Sequence, residues 1–160
     1  MLIMKVMRFF NVLDNNGVVS AAEQSVNNEG CYPILTPTYQ KESRRWLWKL
    51  VDDWNVDYDN GKYTYTVPAG MVTDGASIPR ALWTFCGSPM ELPRAITSLL
   101  HDYLYVTLSR KDPRPDCWYR KLADRIYRDL NIQLGMPINQ ARVEYRFLRM
   151  FAGSHWNDKI

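Results

Sequence analysis

The sequence predicts an α+β protein: an antiparallel sheet carrying one clear β-hairpin, packed with about three helices. Three observations carry this. The stretch "WNVDYDNGKYTYTVP" alternates apolar and polar residues around Asn60-Gly61. From about residue 90 onward, apolar residues recur at helical spacing in three successive stretches. The character changes near residue 70, with strands and loops before it and helices after.

The hairpin justifies itself in detail. Asn-Gly is the preferred pair for a two-residue type I′ turn. With Asp59 facing Lys62, Tyr58 faces Tyr63, Val56 faces Tyr65 and Trp54 faces Val67. The apolar residues then share one face, and Asn55, Asp57, Thr64 and Thr66 share the other, so pattern and turn agree on one register. Pro68 ends the strand because it has no N–H to give a ladder. A second hairpin is expected around "LDNNGVV", and residues 22–45, with Pro33 and Pro37, read as loop. In "TDGASIPR", Pro79 fits the first turn of a short helix capped near Ser77.

"SPME" at residues 88–91 has capping-box form and opens a helix expected over about 90–108. Leu92, Ile96, Leu99, Leu100, Tyr103 and Leu104 make its buried stripe. Pro113 and Pro115 separate it from a second helix, about 116–131, with the stripe Tyr119, Leu122, Ala123, Ile126, Tyr127 and Leu130. Gly135 ends that helix, Pro137 starts a third running to about 151, and Gly153 stops it.

The totals fit one domain spanning 1–160, of which 1–45 form an N-terminal strand and loop extension. Hydrophobic residues make up 46%, enough for a real core. A net charge of +3 gives no argument for nucleic acid. Cys31, Cys86 and Cys117 are too few and too widely spaced for a disulfide framework or a structural zinc site. The apolar start is broken by Lys5, Arg8 and Asn11, well short of a membrane span, and has no signal-peptide cleavage pattern.

Chemistry-bearing residues gather around two stretches, "TDGASIPR" and "LLHDYLY". On the first helix Ser98, His101, Asp102 and Tyr105 fall opposite the Leu/Ile stripe, with His101 and Asp102 about 100° apart. On the second, Asp124 lies between Arg120 and Arg128, one turn either side. One reading joins Asp74, His101, Asp102 and Asp124 into a site for Zn²⁺, Mn²⁺ or Mg²⁺ that activates water. Ser77, Arg80 and Tyr105 would then contact substrate. The other reading makes the same residues a hydrogen-bonded packing node, with Asp124 paired to an arginine on a solvated face. No nucleophile elbow, H-E-x-x-H, phosphate loop or dinucleotide fingerprint is present. Arg142, Arg146 and Arg149 form a basic stripe on the third helix, a solvated face or, less readily, a contact for nucleic acid or an acidic protein.

"VPAGMVTDGASIPRALW", "AITSLLHDYLY", "KLADRIYRDL" and "ARVEYRFLRMFAG", in this order, resemble a family of domains of unknown function found in phages and prophages. The resemblance spans roughly residues 52–153 and rests on Asp74, Ala76, Ser77, Ile78, Pro79, Arg80, His101, Asp102, Leu104, Tyr105, Ala123, Asp124, Tyr145 and Gly153. It implies a phage or prophage protein, in the host cytoplasm or the virion, and draws the Asp, Ser and His positions into one polar site. Two functions stay open. One is a small metal-dependent hydrolase acting on cell wall or nucleotide. The other is a non-enzymatic virion, assembly or host-interaction protein, able to oligomerise, with phage structural proteins or a host protein as partner.

Overall fold

A computed structural model describes residues 6–9, 32–75 and 92–156. The chain forms two compact units, 1–74 and 75–160. Strands occupy the first and helices the second, so the fold is α+β as the change near residue 70 predicts.

In the first unit, β1 (Val6–Phe9), β4 (Trp54–Tyr58) and β5 (Tyr63–Val67) make one sheet in the order β1-β4-β5. Strands β2 (Leu35–Gln40), β3 (Arg45–Leu50) and β6 (Val72–Thr73) make another in the order β2-β3-β6. Among the described residues the expected single antiparallel sheet is therefore two sheets of three strands, and the β1–β4 pairing is parallel rather than antiparallel.

The β4–β5 hairpin has the predicted register: Trp54 opposite Val67, Val56 opposite Tyr65, Tyr58 opposite Tyr63. Trp54, Val56, Tyr58 and Val67 are buried. On the opposite face the Thr64 hydroxyl donates to Asp57 Oδ1 and the Thr66 hydroxyl to Asn55 Oδ1, both at 2.8 Å. Asp59, Asn60 and Gly61 all take positive φ, so the left-handed run starts one residue earlier than a two-residue turn requires. Asn and Asp tolerate that region better than other side chains.

Residues 35–40, read as loop, form β2. Pro37 argued against a strand, but β2 is an edge of its sheet, where a missing N–H costs no ladder bond if it faces outward. The expected hairpin at "LDNNGVV", the turn after Gly75 and the capping box at 88–91 lie outside the described residues.

The second unit holds α1 (Leu92–Ser109), α2 (Trp118–Gln133) and α3 (Ile138–Phe151), then a short 3₁₀ turn over Ala152–His155. Each α-helix lies within about two residues of its predicted span. α1 packs on α2 and α2 on α3. Leu99, Leu100, Leu104, Ile126 and Leu130 are fully buried between them. The Cys117 sulfur accepts from Arg120 N and so caps α2. Gly135, at φ 97°, closes the other end of α2.

α1 departs from the amphipathic pattern. Its expected polar face is buried too: Ser98, His101 and Tyr105 are as enclosed as the leucines, while Tyr103 is half-buried. The helix is covered on two sides, and a polar residue there must find a partner inside the protein.

Candidate functional site: a buried carboxylate joining three helices

The side chains enclosed by α1 meet a carboxylate from α2. Asp124 is 0% exposed. Its Oδ1 lies 2.8 Å from His101 Nε2 and accepts the Tyr105 hydroxyl at 2.7 Å. Its Oδ2 accepts Arg149 Nη1 from α3 at 2.8 Å, with Arg120 Nε 3.9 Å away. One carboxylate thus ties α2 to both other helices.

Burial by itself raises the Asp124 pKa, but the hydrogen bonds from His101, Tyr105 and Arg149 outweigh it and hold the group below the usual carboxylate range. An ionised carboxylate only accepts, so His101 carries its proton on Nε2. Burial pushes the Tyr105 phenol far up, helped by the negative charge of Asp124 beside it, so it stays a donor. The His101 ring lies 4.1 Å from the Tyr105 ring, and Trp156 closes edge-on over Tyr105 at 4.9 Å.

Arg120 braces the same place from below. Its Nε donates to the Tyr105 oxygen at 3.3 Å. Its Nη2 donates to the carbonyls of Leu148 and Arg149, capping the C-terminal end of α3, and Nη1 donates to the Pro115 carbonyl. Gly153 makes this possible: a Cβ there would sit 3.3 Å from Arg120 Nη1. Read from sequence as a helix stop, this glycine also clears room for a guanidinium.

The predicted site residues therefore divide. His101, Asp124 and Tyr105 come together, with Tyr105 locked in the core. Asp102 is half-buried, and the hydrogen bonds described for the Asp124 carboxylate come from His101, Tyr105 and Arg149. Asp74 belongs to the first unit, where its exposed carboxylate lies 3.6 Å from Arg45. Ser77 and Arg80 lie outside the described residues. Asp124 does not sit on a solvated face, and Arg128 turns instead to Asp129 at 2.6 Å. The basic stripe also divides: Arg149 points inward to Asp124, Arg142 is half-buried and Arg146 is exposed.

Sequence reasoning missed Arg149 and the bracing by Arg120. The i, i+4 spacing of Arg120 and Asp124 was visible, but it reads equally well as a surface pair. It also missed a second buried carboxylate, Glu144 of α3. Glu144 accepts Arg94 Nη2 of α1 at 3.1 Å and the Tyr127 hydroxyl of α2 at 2.9 Å. Nearby, the Thr97 hydroxyl donates to Asn131 Oδ1 at 3.1 Å.

Chemically, the Asp124 carboxylate accepts three hydrogen bonds, two on Oδ1 and one on Oδ2. Oδ2 faces two guanidinium groups, Arg149 Nη1 at 2.8 Å and Arg120 Nε at 3.9 Å. Among the described residues no group of three or more His, Cys, Asp or Glu side chains is arranged to hold a metal ion. Among the described residues the buried Ser98 hydroxyl, one turn before His101, finds no hydrogen-bond partner and is not bonded to the imidazole.

The fold and this cluster define an α+β protein whose helical unit is held by buried ionic centres. The chain belongs to a family described as "Protein of unknown function (DUF1353)", which matches residues 48–147. That range takes in His101, Tyr105, Arg120 and Asp124, and leaves Arg149 and most of the β2–β3 pair outside. The chain is also similar to "Uncharacterized protein y4jT" of Sinorhizobium fredii, with 41% identity over 64 residues. The alignment covers 40% of this chain and 19% of that protein. No solved structure matches the chain. Among the described residues no helix is long and apolar enough to cross a membrane.

Proposed function

We propose that this chain acts by binding rather than by covalent chemistry, as a phage or prophage assembly or host-interaction protein, with the His101–Asp124 cluster clamping its helices. One observation carries the reading: the fully buried Asp124 carboxylate is already bonded from within the protein to an imidazole, a phenol and a guanidinium. A catalytic carboxylate or metal ligand needs a free lone pair toward its substrate or ion. The phage or prophage assignment draws on the ordered motifs from "TDGASIPR" to the last helix, and it places the protein in the host cytoplasm or the virion.

The metal-dependent hydrolase remains the competing reading, and one contact favours it. A carboxylate bonded to one imidazole nitrogen is how metal-binding histidines are commonly oriented. Metal content of the purified protein, before and after addition of Zn²⁺ or Mn²⁺, separates the two. The binding reading expects no stoichiometric metal, and a His101→Ala variant that simply melts earlier. Near-stoichiometric metal that disappears in a still-folded His101→Ala variant would overturn it.

A further inference from the structure

The β2–β3 hairpin carries the net charge of the whole chain. Residues 35–50 hold four of the 20 lysines and arginines and one of the 17 acids, a net +3, and the rest of the sequence balances. Averaged over 160 residues this charge gives no argument about a partner, but gathered on one hairpin it makes a local field. Lys41, Arg44 and Lys49 are exposed and form no ion pair among the described residues. Arg45 leans on Asp74 at 3.6 Å, an exposed pair that leaves both groups largely in solvent. Glu42, in the turn, is the single carboxylate of the hairpin.

The same hairpin exposes aromatic rings. Tyr39 lies opposite Trp46 and Pro37 opposite Trp48, so all four share one face of the ribbon. Tyr39 is 47% exposed and Trp46 61%. Their ring centroids are 5.3 Å apart at 56°, so each ring braces the other while both stay open to solvent. Strand β6 pairs with β3 only at Trp48 and Lys49, so the ribbon extends past it from Tyr39 to Trp46. Arg45 and Lys49 lie on the other face, and Lys41 and Arg44, in the turn, adjoin both. Arg44 takes φ 52°, a left-handed position that glycine or asparagine would adopt with less strain.

Charge and rings together select the occupant. A single-stranded nucleic acid offers phosphates to the cations and unstacked bases to the rings. In a duplex the base faces already stack on one another and cannot reach Tyr39 or Trp46. An anionic bilayer fits less well, because the leading turn, Lys41-Glu42-Ser43-Arg44, would put charges of both signs ahead of the rings. We propose that the β2–β3 hairpin binds single-stranded nucleic acid, stacking bases on Tyr39 and Trp46 and holding phosphates with Lys41 and Arg44. The site lies wholly in the strand unit, goes beyond the binding reading above and does not rest on the Asp124 cluster.

The test uses the full chain with a fluorescein-labelled oligothymidine, a duplex of the same length and polyglutamate of matched charge. Anisotropy should show the oligothymidine binding about tenfold or more tightly than either of the others. Its log affinity should fall with log salt at a slope of about −1.4 when Lys41 and Arg44 each hold one phosphate. Tyr39→Ala with Trp46→Ala should weaken binding about tenfold or more without changing that slope. Arg44→Glu should weaken binding and flatten the slope, whereas Lys121→Glu, exposed on α2, should leave both nearly as they are. Circular dichroism checks that each variant stays folded, and Arg44→Glu still tests the site if removing both rings unsettles the hairpin. Equal affinity for the duplex or polyglutamate, no binding at all, or indifference of the folded variants would overturn the proposal. So would a preference for phosphatidylglycerol vesicles over the oligothymidine, or an equal loss from Lys121→Glu.

Discussion

Among the described residues two carboxylates each join all three helices, and only one looks like chemistry from sequence. Asp124 of α2 gathers His101 and Tyr105 from α1 and Arg149 from α3. Glu144 of α3 gathers Arg94 from α1 and Tyr127 from α2. Each is an acid on one helix bonded to the other two, neutralised by an arginine and closed by a tyrosine. Burial raises the Tyr127 phenol well above its usual range, with the Glu144 charge adding to the effect, as at Tyr105 and Asp124. The difference is the imidazole, which drew attention because histidine titrates near neutral pH. The parallel construction shows that in this fold a buried acid surrounded by donors is a way of fixing helix positions.

The comparison breaks first at Asp124. Asp124→Asn leaves Arg149 and Arg120 without their counter-charge in the interior, and should cost about 3–5 kcal/mol in denaturant unfolding. The pH dependence has a definite sign. The folded pKa is depressed, so the Asp124 contribution is fully present above the unfolded carboxylate value of about 3.9 and is lost as pH falls through the folded value. The stability gap between wild type and Asp124→Asn should therefore be widest near neutrality and shrink below about pH 4. A gap that does not change over that range would mean Asp124 is not ionised in the fold.

Glu144→Gln comes next. The glutamine keeps one acceptor for Arg94 or Tyr127 but no charge, and should cost about 2–3 kcal/mol. If it proves harmless while Asp124→Asn unfolds the protein, the two centres are not equivalent and the imidazole centre has a further role. Gly153→Ala tests the brace beneath Asp124 alone. The added Cβ presses on Arg120 Nη1 and should cost about 1 kcal/mol, read as a small drop in melting temperature. At the small end, Thr64→Val on the outer face of the hairpin removes one exposed cross-strand hydrogen bond to Asp57. Its cost should stay within about 0.5 kcal/mol. A larger loss would show that the strand unit, too, leans on polar ties.

Legibility in the sequence followed the range of the interactions. The hairpin from Trp54 to Val67 was readable to the residue, because its turn and its alternation are local and agree. The three helices were readable because Leu and Ile recur at helical spacing and Pro and Gly punctuate them. Of the set Asp74, Ser77, Arg80, His101, Asp102, Tyr105 and Asp124 drawn together from the sequence, His101, Tyr105 and Asp124 are hydrogen-bonded to one another in the fold. Their burial was not readable. Periodicity shows one apolar stripe on α1, but it cannot show that a second helix covers the opposite side and makes Ser98, His101 and Tyr105 interior residues.

What the sequence by itself determined, then, is the class of fold, the hairpin register and the helix spans, all set by propensities and spacings within about twenty residues of chain. Tertiary structure alone decided the rest. It split the strands into two sheets, made Pro37 acceptable at an edge, turned Arg149 inward while Arg146 stayed out, and paired Glu144 with Arg94 fifty residues away. Those outcomes depend on which surfaces exclude water from which charges. Because an arginine reads the same in sequence whether it faces solvent or a buried carboxylate, only the packed chain distinguishes the two.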